Sequence, residues 1–412
     1  MKYKVLSWLQ QFSTFCFLDN HRYQFAPHAV ECIAAAGRTG NTASTLEELD
    51  ALTAPKEAGE KRWLFGHLSY DLKTEPEGVS SSHPDGIGFP DLFFFEPEVV
   101  IRLSSSGMEI TAPDAAAVYE AVMDQRITAE TVSDHSVNIQ QRISRDEYLH
   151  IIRRLKQHIL RGDCYEINFC QEFFAEKAVI DPPGIYRKLC AVSPNPFSAL
   201  YRLDDRWLIC ASPERFLCRK GEKLLSQPIK GTARRVIENP FADEQVRNEL
   251  FLSAKDRSEN VMVVDLVRND LARVCEEGSV KVDELYGIYS FPQVHQMIST
   301  ISGTLRKDVG FTDIIRATFP MGSMTGAPKR KVMELIEMYE KTKRGIFSGA
   351  VGYIGPDGDF DFNVVIRSLM YNSASGYLSY QAGSGITFYS DPEKEWEECL
   401  LKAAAIRNVL EQ

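Results

Sequence analysis

Apolar residues recur at two spacings along this chain of 412 residues, one helical and one strand-like. After Ser144, the residues Tyr148, Ile151, Ile152, Leu155 and Ile159 fall on one helical face, and Gly162 ends the run. Ser144 followed by Glu147 gives that helix a capping-box start. The next stretch, "CYEINFCQEF", alternates Tyr165, Ile167 and Phe169 with Glu166, Asn168 and Cys170, which predicts a strand. Further strand signals lie in "DLFFFEPEVVIRL", "WLICASPERFL", "VHQMISTISGTL", "GAVGYIG", "NVVIRSLMY" and "YLSYQAGSGI". One helix is expected from Asn239–Pro240 through Asp256 and Glu259. Another begins at Pro328 and carries Val332, Leu335, Ile336 and Tyr339. The last has Asp391 as N-cap and Pro392 at its first position. Regular βαβ alternation is missing, and so is any repeat of about 20–50 residues, so the pattern predicts an α+β fold.

Length sets the scale next. A chain this long exceeds one ordinary core, so two domains, or one domain with an elaborate sheet system, are expected. The stretch 127–142 is polar and weakly periodic and reads as a linker between a region 1–126 and a region 143–412. A formal charge of −10 gives a nucleic-acid partner no support, so an anionic substrate would need a local positive pocket. Nine scattered cysteines without a CxxC, no signal peptide and no apolar run of membrane length point to a reduced, cytoplasmic protein with no membrane role. Neither GxGxxG nor a P-loop is present.

Several groups of residues could carry chemistry. Asp256/Glu259 and Glu395/Glu398 are two carboxylate pairs, each on one helical face; turned toward each other they would make an oxygen-rich site suited to Mg²⁺. Favourable placement of acids in a first helical turn is the commoner explanation of such pairs. "FPMGSMTGAPK" sets Gly322, Ser323, Thr325 and Gly326 before a helix, an anion-binding arrangement, although Thr325 as a plain cap explains it equally. "AGSGI" offers a backbone nest or, more simply, a glycine bulge. Arg367 interrupts an apolar strand, where it would clamp a carboxylate or join a buried ion pair. His295 and Glu214 read individually as a core histidine and a strand-end acid. Lys230 in "QPIKGT" reads individually as a surface lysine. Drawn into a dry pocket between Ile229 and Gly231, however, its pKa would fall and the neutral amine would be a nucleophile.

Together these motifs resemble the chorismate-utilising enzyme family, which includes anthranilate synthase large subunits, aminodeoxychorismate synthase component I, isochorismate synthases and salicylate synthases. The blocks "GDCYEINFCQ", "SPERF", "QPIKGT", "DRSENVMVVDLVRND", "VHQMIS", "GSMTGAPK", "GAVGYIG", "VVIRS" and "AGSGITFYSDPEKEWEE" run in family order from about residue 142 to the C-terminus. Residues 1–126, with "GHLSYDLK", are more loosely similar to the family's N-terminal region. The resemblance implies a large domain of antiparallel sheets forming a sandwich with helices outside, and a chorismate-binding catalytic unit over 143–412. Anthranilate synthases typically have alanine where this chain has Lys230, whereas lysine there is typical of aminodeoxychorismate synthases. By resemblance the Lys230 amine attacks C2 of chorismate. Ammonia from a glutamine amidotransferase subunit then adds at C4, giving 4-amino-4-deoxychorismate for 4-aminobenzoate and folate synthesis.

The resemblance also implies roles position by position. Glu214 matches the general acid and His295 a proton-handling or orienting group. Glu259 and Glu398 match direct Mg²⁺ ligands, with Asp256 and Glu395 acting through metal-bound water. Gly231, Thr232, Ser323, Tyr353, Arg367 and the Gly383–Ser384–Gly385 turn match substrate-binding positions. Two departures stand out. Glu166 occupies a position that is lysine in the water-adding members and usually glutamine in the amine-adding ones. An "LLES"-like motif is missing, so feedback control by tryptophan is not expected. The alternatives are anthranilate synthase component I and a non-catalytic chorismate-binding homologue.

Overall fold

A computed structural model describes residues 1–23, 31–54, 62–126 and 137–411. Residues 127–136, most of the expected linker, lie outside that set; Gln140–Gln141 pairs with Phe173–Phe174 at a sheet margin. Among the described residues two antiparallel sheets form, of eleven and ten strands. The first 126 residues contribute to both: Thr14–Asp19, Cys32–Ala36 and Val99–Ser104 to the larger, Leu64–Leu68 and Leu92–Phe95 to the smaller.

The two-residue period of a strand explains how one sheet serves two cores. Cys16, Ala35, Ala199, Tyr201, Leu208 and Cys210 of the larger sheet face the smaller one and pack with Phe65, Phe94 and Leu217. Their neighbours Phe15, Phe17, Ala34, Leu200 and Ile209 face outward beneath helices, including Arg145–Leu160, Pro182–Val192, Lys329–Tyr339 and Pro392–Glu411. The architecture is thus the expected α+β arrangement of packed sheets with helices outside. Burial on both faces is why strands of the larger sheet such as Cys32–Ala36 and Arg206–Ser212 read as nearly continuous apolar runs. Among the described residues no helix is long and apolar enough to cross a membrane, and all nine cysteines are free and buried.

Local signals explain several element ends. Ser144 Oγ accepts from the Glu147 amide at 3.3 Å, and Asp391 Oδ1 accepts from the Glu393 and Lys394 amides at 3.1 Å. The expected single helix through Asp256 is instead two, Pro240–Leu252 and Ala254–Ala272. Ser253 breaks it by capping the second, accepting from the Asp256 amide at 3.3 Å.

Three expected continuous strands are likewise divided. "DLFFFEPEVVIRL" gives Leu92–Phe95 and Val99–Ser104, one in each sheet. "WLICASPERFL" divides into Arg206–Ser212 and Arg215–Lys220, and "NVVIRSLMY" shares only Asn363 with the strand Phe360–Asn363 before the next strand, Ser368–Asn372. In these two the chain leaves one sheet for the other, and the crossings run side by side: Val364 N donates to Glu214 O at 3.0 Å and Ala211 N to Arg367 O at 3.2 Å. The breaks fall at Pro213–Glu214 and at Val364–Arg367.

Candidate active site

Glu214 and Arg367 therefore meet where the two sheets exchange chain. Arg367 is not inside a strand, as the apolar pattern predicts, but ahead of one, in the left-handed backbone region at φ +50°. Such a conformation is costly for a side-chain-bearing residue and marks sites where placement matters. Among the described residues the Arg367 guanidinium forms no ion pair. Burial lowers its pKa, and the nearby Glu214 opposes that shift. The Glu214 carboxyl is buried, which pushes its pKa up to about 7 against the opposing effects of a Ser323 hydrogen bond and the Lys230 charge. At neutral pH a large share of it is a proton donor.

Lys230 stands on the strand Ile229–Arg234, which pairs with Val294–Thr304. Its side chain is only 10% exposed, so the expected shelter is present. The expected loss of charge is not. Burial alone would lower the pKa, but Glu166, Glu259 and Glu214 hold it above the ordinary lysine value. Among the described residues its one ion pair is with Glu166, Nζ to Oε1 at 2.6 Å. Glu166 opens the strand Glu166–Ala175, which is buried on both faces; its Glu166, Asn168, Gln171 and Glu172 side chains are inside the protein.

Two glycines make this meeting possible. A Cβ at Gly385 would stand 2.7 Å from Glu166 Oε1 and 2.8 Å from Lys230 Nζ, so the ion pair lies directly over that backbone. Gly385→Ala should therefore push the two groups apart. Displacement on the order of an ångström costs about 10²-fold, so kcat should fall roughly that far while circular-dichroism melting changes little. Gly326, at φ +145°, lets its loop reach the Glu166–Ile167 backbone, where a Cβ would lie 2.1 Å from Glu166 O. The "GSMTGAPK" segment does lead into the helix Lys329–Tyr339, whose N-cap is Pro328, but its glycine and hydroxyl residues lie outside the first helical turn. Gly322–Met324 forms a short 3₁₀ turn, Gly326–Ala327 pairs with Glu166–Ile167, and Thr325 Oγ1 donates to Met321 O at 3.1 Å instead of capping.

The acidic pairs gather around an ammonium. Lys255 Nζ lies 3.8 Å from Glu259 Oε1 and 3.7 Å from Glu395 Oε1, and Glu398 and Asp256 add to the field that raises its pKa once burial is overcome. Asp256 and Glu395 sit in first helical turns, so the ordinary macrodipole placement applies to them too. Burial raises Glu259 to about 7. Glu398 stays below the usual range because Lys402, bonded at 2.8 Å, with Lys255 and Lys230, outweighs its burial. Glu259 Oε1 and Glu395 Oε2 are buried without a hydrogen-bond partner, and hard oxygens of that kind suit Mg²⁺ alongside water and substrate oxygens. Among the described residues no three metal-ligating side chains converge into a ready-made cage. The donor type fits Mg²⁺; Lys255 is the cation the acids hold here.

Other expected positions fall differently. The Gly383–Ser384–Gly385 segment is not a turn but part of the strand Tyr377–Ile386, laddered against Phe169 and its neighbours. Gly231 lies against Asp256 where strand meets helix, and Thr232 pairs with Gln296. His295 is fully engaged: Nδ1 with Ser290 Oγ at 2.9 Å, Nε2 with Asp243 Oδ1 at 3.1 Å, and Asp243 is held in turn by Arg235. Tyr353 lines a cavity with Leu18, Asp19, Glu31, Phe197 and Asn363, and Lys230 is not among the residues lining it. Lys255 and Lys402 were not singled out from sequence, yet each stands four residues before or after an acid it pairs with, a spacing that was visible.

The sequence matches the profile of the chorismate binding enzymes over residues 13–408. The chain belongs to this family. An anthranilate synthase component I-like protein of Synechocystis sp. is 34% identical over 85% of this chain and 72% of its own. Aminodeoxychorismate synthase component 1 of Salmonella typhimurium is 35% identical over 84% of this chain and 76% of its own. The crystal structure of anthranilate synthase component I from Streptococcus pneumoniae superposes with a TM-score of 0.78 at 24% identity, covering 95% of this chain and 89% of that one. As a chorismate-utilising family member, the protein thus shares its fold with anthranilate synthase component I.

Proposed function

We propose that this protein is an aminodeoxychorismate synthase of the component I type. It would convert chorismate and ammonia into 4-amino-4-deoxychorismate in the cytoplasm, toward 4-aminobenzoate and folate. The observation that carries the reading is Lys230. Its amine is sheltered and stands within the field of Glu214, Glu259 and Glu398, at the position where anthranilate-forming members typically have alanine.

In this reading the Lys230 nitrogen bonds to C2 of the ring. The ring double bonds shift, the C4–O bond breaks, and the hydroxyl leaves as water with the Glu214 proton. Ammonia then bonds to C4 and the C2–nitrogen bond breaks, returning the lysine. Two allylic displacements replace one difficult substitution. Arg367, without an ion pair among the described residues, would hold a substrate carboxylate bidentately. Glu259 and Glu398 would hold Mg²⁺, with Asp256 and Glu395 behind them; the ion would supply charge stabilisation at the ring carboxylate. His295, with both ring nitrogens engaged, would orient the Lys230 strand through Asp243 and Arg235.

The "component 1" in the relatives' names supports a partner subunit, for which a glutamine amidotransferase supplying ammonia is the proposed identity. Incubation with chorismate, ammonium and Mg²⁺ should yield 4-amino-4-deoxychorismate by liquid chromatography. Direct release of anthranilate would replace this reading with anthranilate synthase. Glu259→Gln should raise the Mg²⁺ needed for half-maximal activity by about tenfold or more, the loss that even an outer-shell change produces. An unchanged Mg²⁺ titration would remove Glu259 from the ligand set.

A further inference from the structure

A lysine must shed a proton before it can attack carbon, and the acids around Lys230 are not equivalent for that task. Glu214 has to give a proton to the departing hydroxyl, so it cannot also receive one in the same step. Glu259 and Glu398 make no ion pair with Lys230 among the described residues. Glu166 does, with Oε1 at 2.6 Å from Nζ. Its side chain is 3% exposed, and its second oxygen, Oε2, is buried without a hydrogen-bond partner. The contact is built from both sides. Ala327 pairs with the Glu166 backbone on one flank, Ile386 and Gly385 ladder with its strand on the other, and Gly385 leaves room for the two head groups.

Resting on the proposed covalent route, the geometry points to Glu166 as the catalytic base that takes the proton from Lys230 Nζ and returns it when the lysine leaves. In the first half, a proton passes from Nζ to the Glu166 carboxylate and the freed electron pair forms the nitrogen–C2 bond. The C4–O bond breaks and the oxygen leaves as water with the Glu214 proton. In the second half ammonia bonds to C4, the C2–nitrogen pair returns to Lys230, and Glu166 gives its proton back to that amine. The surplus proton on the new C4 amino group passes to the Glu214 carboxylate. Both acids and the lysine end as they began, and the balance is chorismate plus ammonia to aminodeoxychorismate plus water. The pairing makes Glu166, where amine-adding relatives usually have glutamine, part of this chain's own way of freeing its nucleophile.

Glu166→Gln keeps the shape and an acceptor oxygen beside Nζ but cannot hold the transferred proton. With chorismate and no ammonia, the rate of the Lys230 adduct followed by intact-protein mass spectrometry should fall about 10²-fold, as on loss of a general base. In steady state kcat should fall similarly, with KM for chorismate within a few-fold of wild type. Glu166→Asp, which keeps the carboxylate but withdraws it, should lie between the two and serves as the test if the glutamine variant does not fold. Adduct formation by Glu166→Gln at the wild-type rate, or a raised KM with kcat kept, would reduce Glu166 to a structural neighbour. If the wild-type protein itself forms no Lys230 adduct, the covalent route fails, and this role fails with it.

Discussion

Lys230→Ala should eliminate formation of 4-amino-4-deoxychorismate, with kcat down on the order of 10⁴-fold or more, the scale seen when a covalent nucleophile is removed. The expectation rests on position. The amine is a sheltered cation within the field of Glu166, Glu214 and the acids of the two helices, and the substitution removes it from that place. The same change leaves Glu166 buried with both oxygens unpaired, so a loss of activity could reflect a damaged fold. The double variant Lys230→Ala/Glu166→Gln separates the two effects, because it removes the stranded charge together with the amine. It should melt near the wild-type temperature by circular dichroism and still form no product. Near-normal turnover by either variant would end the covalent route and turn the assignment toward direct attack by ammonia.

Glu214→Gln should lower kcat by roughly 10²–10⁴-fold, the usual range for a lost proton donor. Its amide fills the same buried crossover space between the sheets but has no proton to give the leaving hydroxyl. The wild-type pH profile provides an independent check. Burial raises the carboxyl to about 7, so it is protonated below that pH and ionised above it. A step that consumes its proton must slow as pH rises through about 7. The measurement is kcat/KM for chorismate at constant free ammonia, since ammonia itself becomes more available as pH rises. An alkaline limb near 7 that disappears in Glu214→Gln supports the role. A flat profile, or a limb that survives the substitution, assigns the proton to another group.

Much of the fold could be read locally. Ser144, Asp391 and Pro392 mark their helix ends in a few residues of sequence, because a cap is a contact between neighbours. The two-residue period of "CYEINFCQEF" identifies a strand, but not that its polar side would be enclosed. The crossings at Pro213–Glu214 and Val364–Arg367 were hidden for a related reason. Both flanks of each are apolar, so the run looks continuous although it passes from one sheet to another. The division at Ser253 was a missed cap, legible in principle.

By itself the sequence determined the α+β class, the family and the set of chemically capable residues, because those depend on composition, spacing and ordered motifs. Tertiary structure decided what those residues meet. Lys230 and Glu166 are 64 positions apart, and only the sheet arrangement places them at 2.6 Å, over a glycine that leaves room for both. With Glu259 and Glu214, that contact favours the charged form of the amine. Burial alone argues for a neutral lysine, whereas burial among carboxylates keeps the proton on, because at such distances in a dry interior the attraction exceeds the cost of lost hydration.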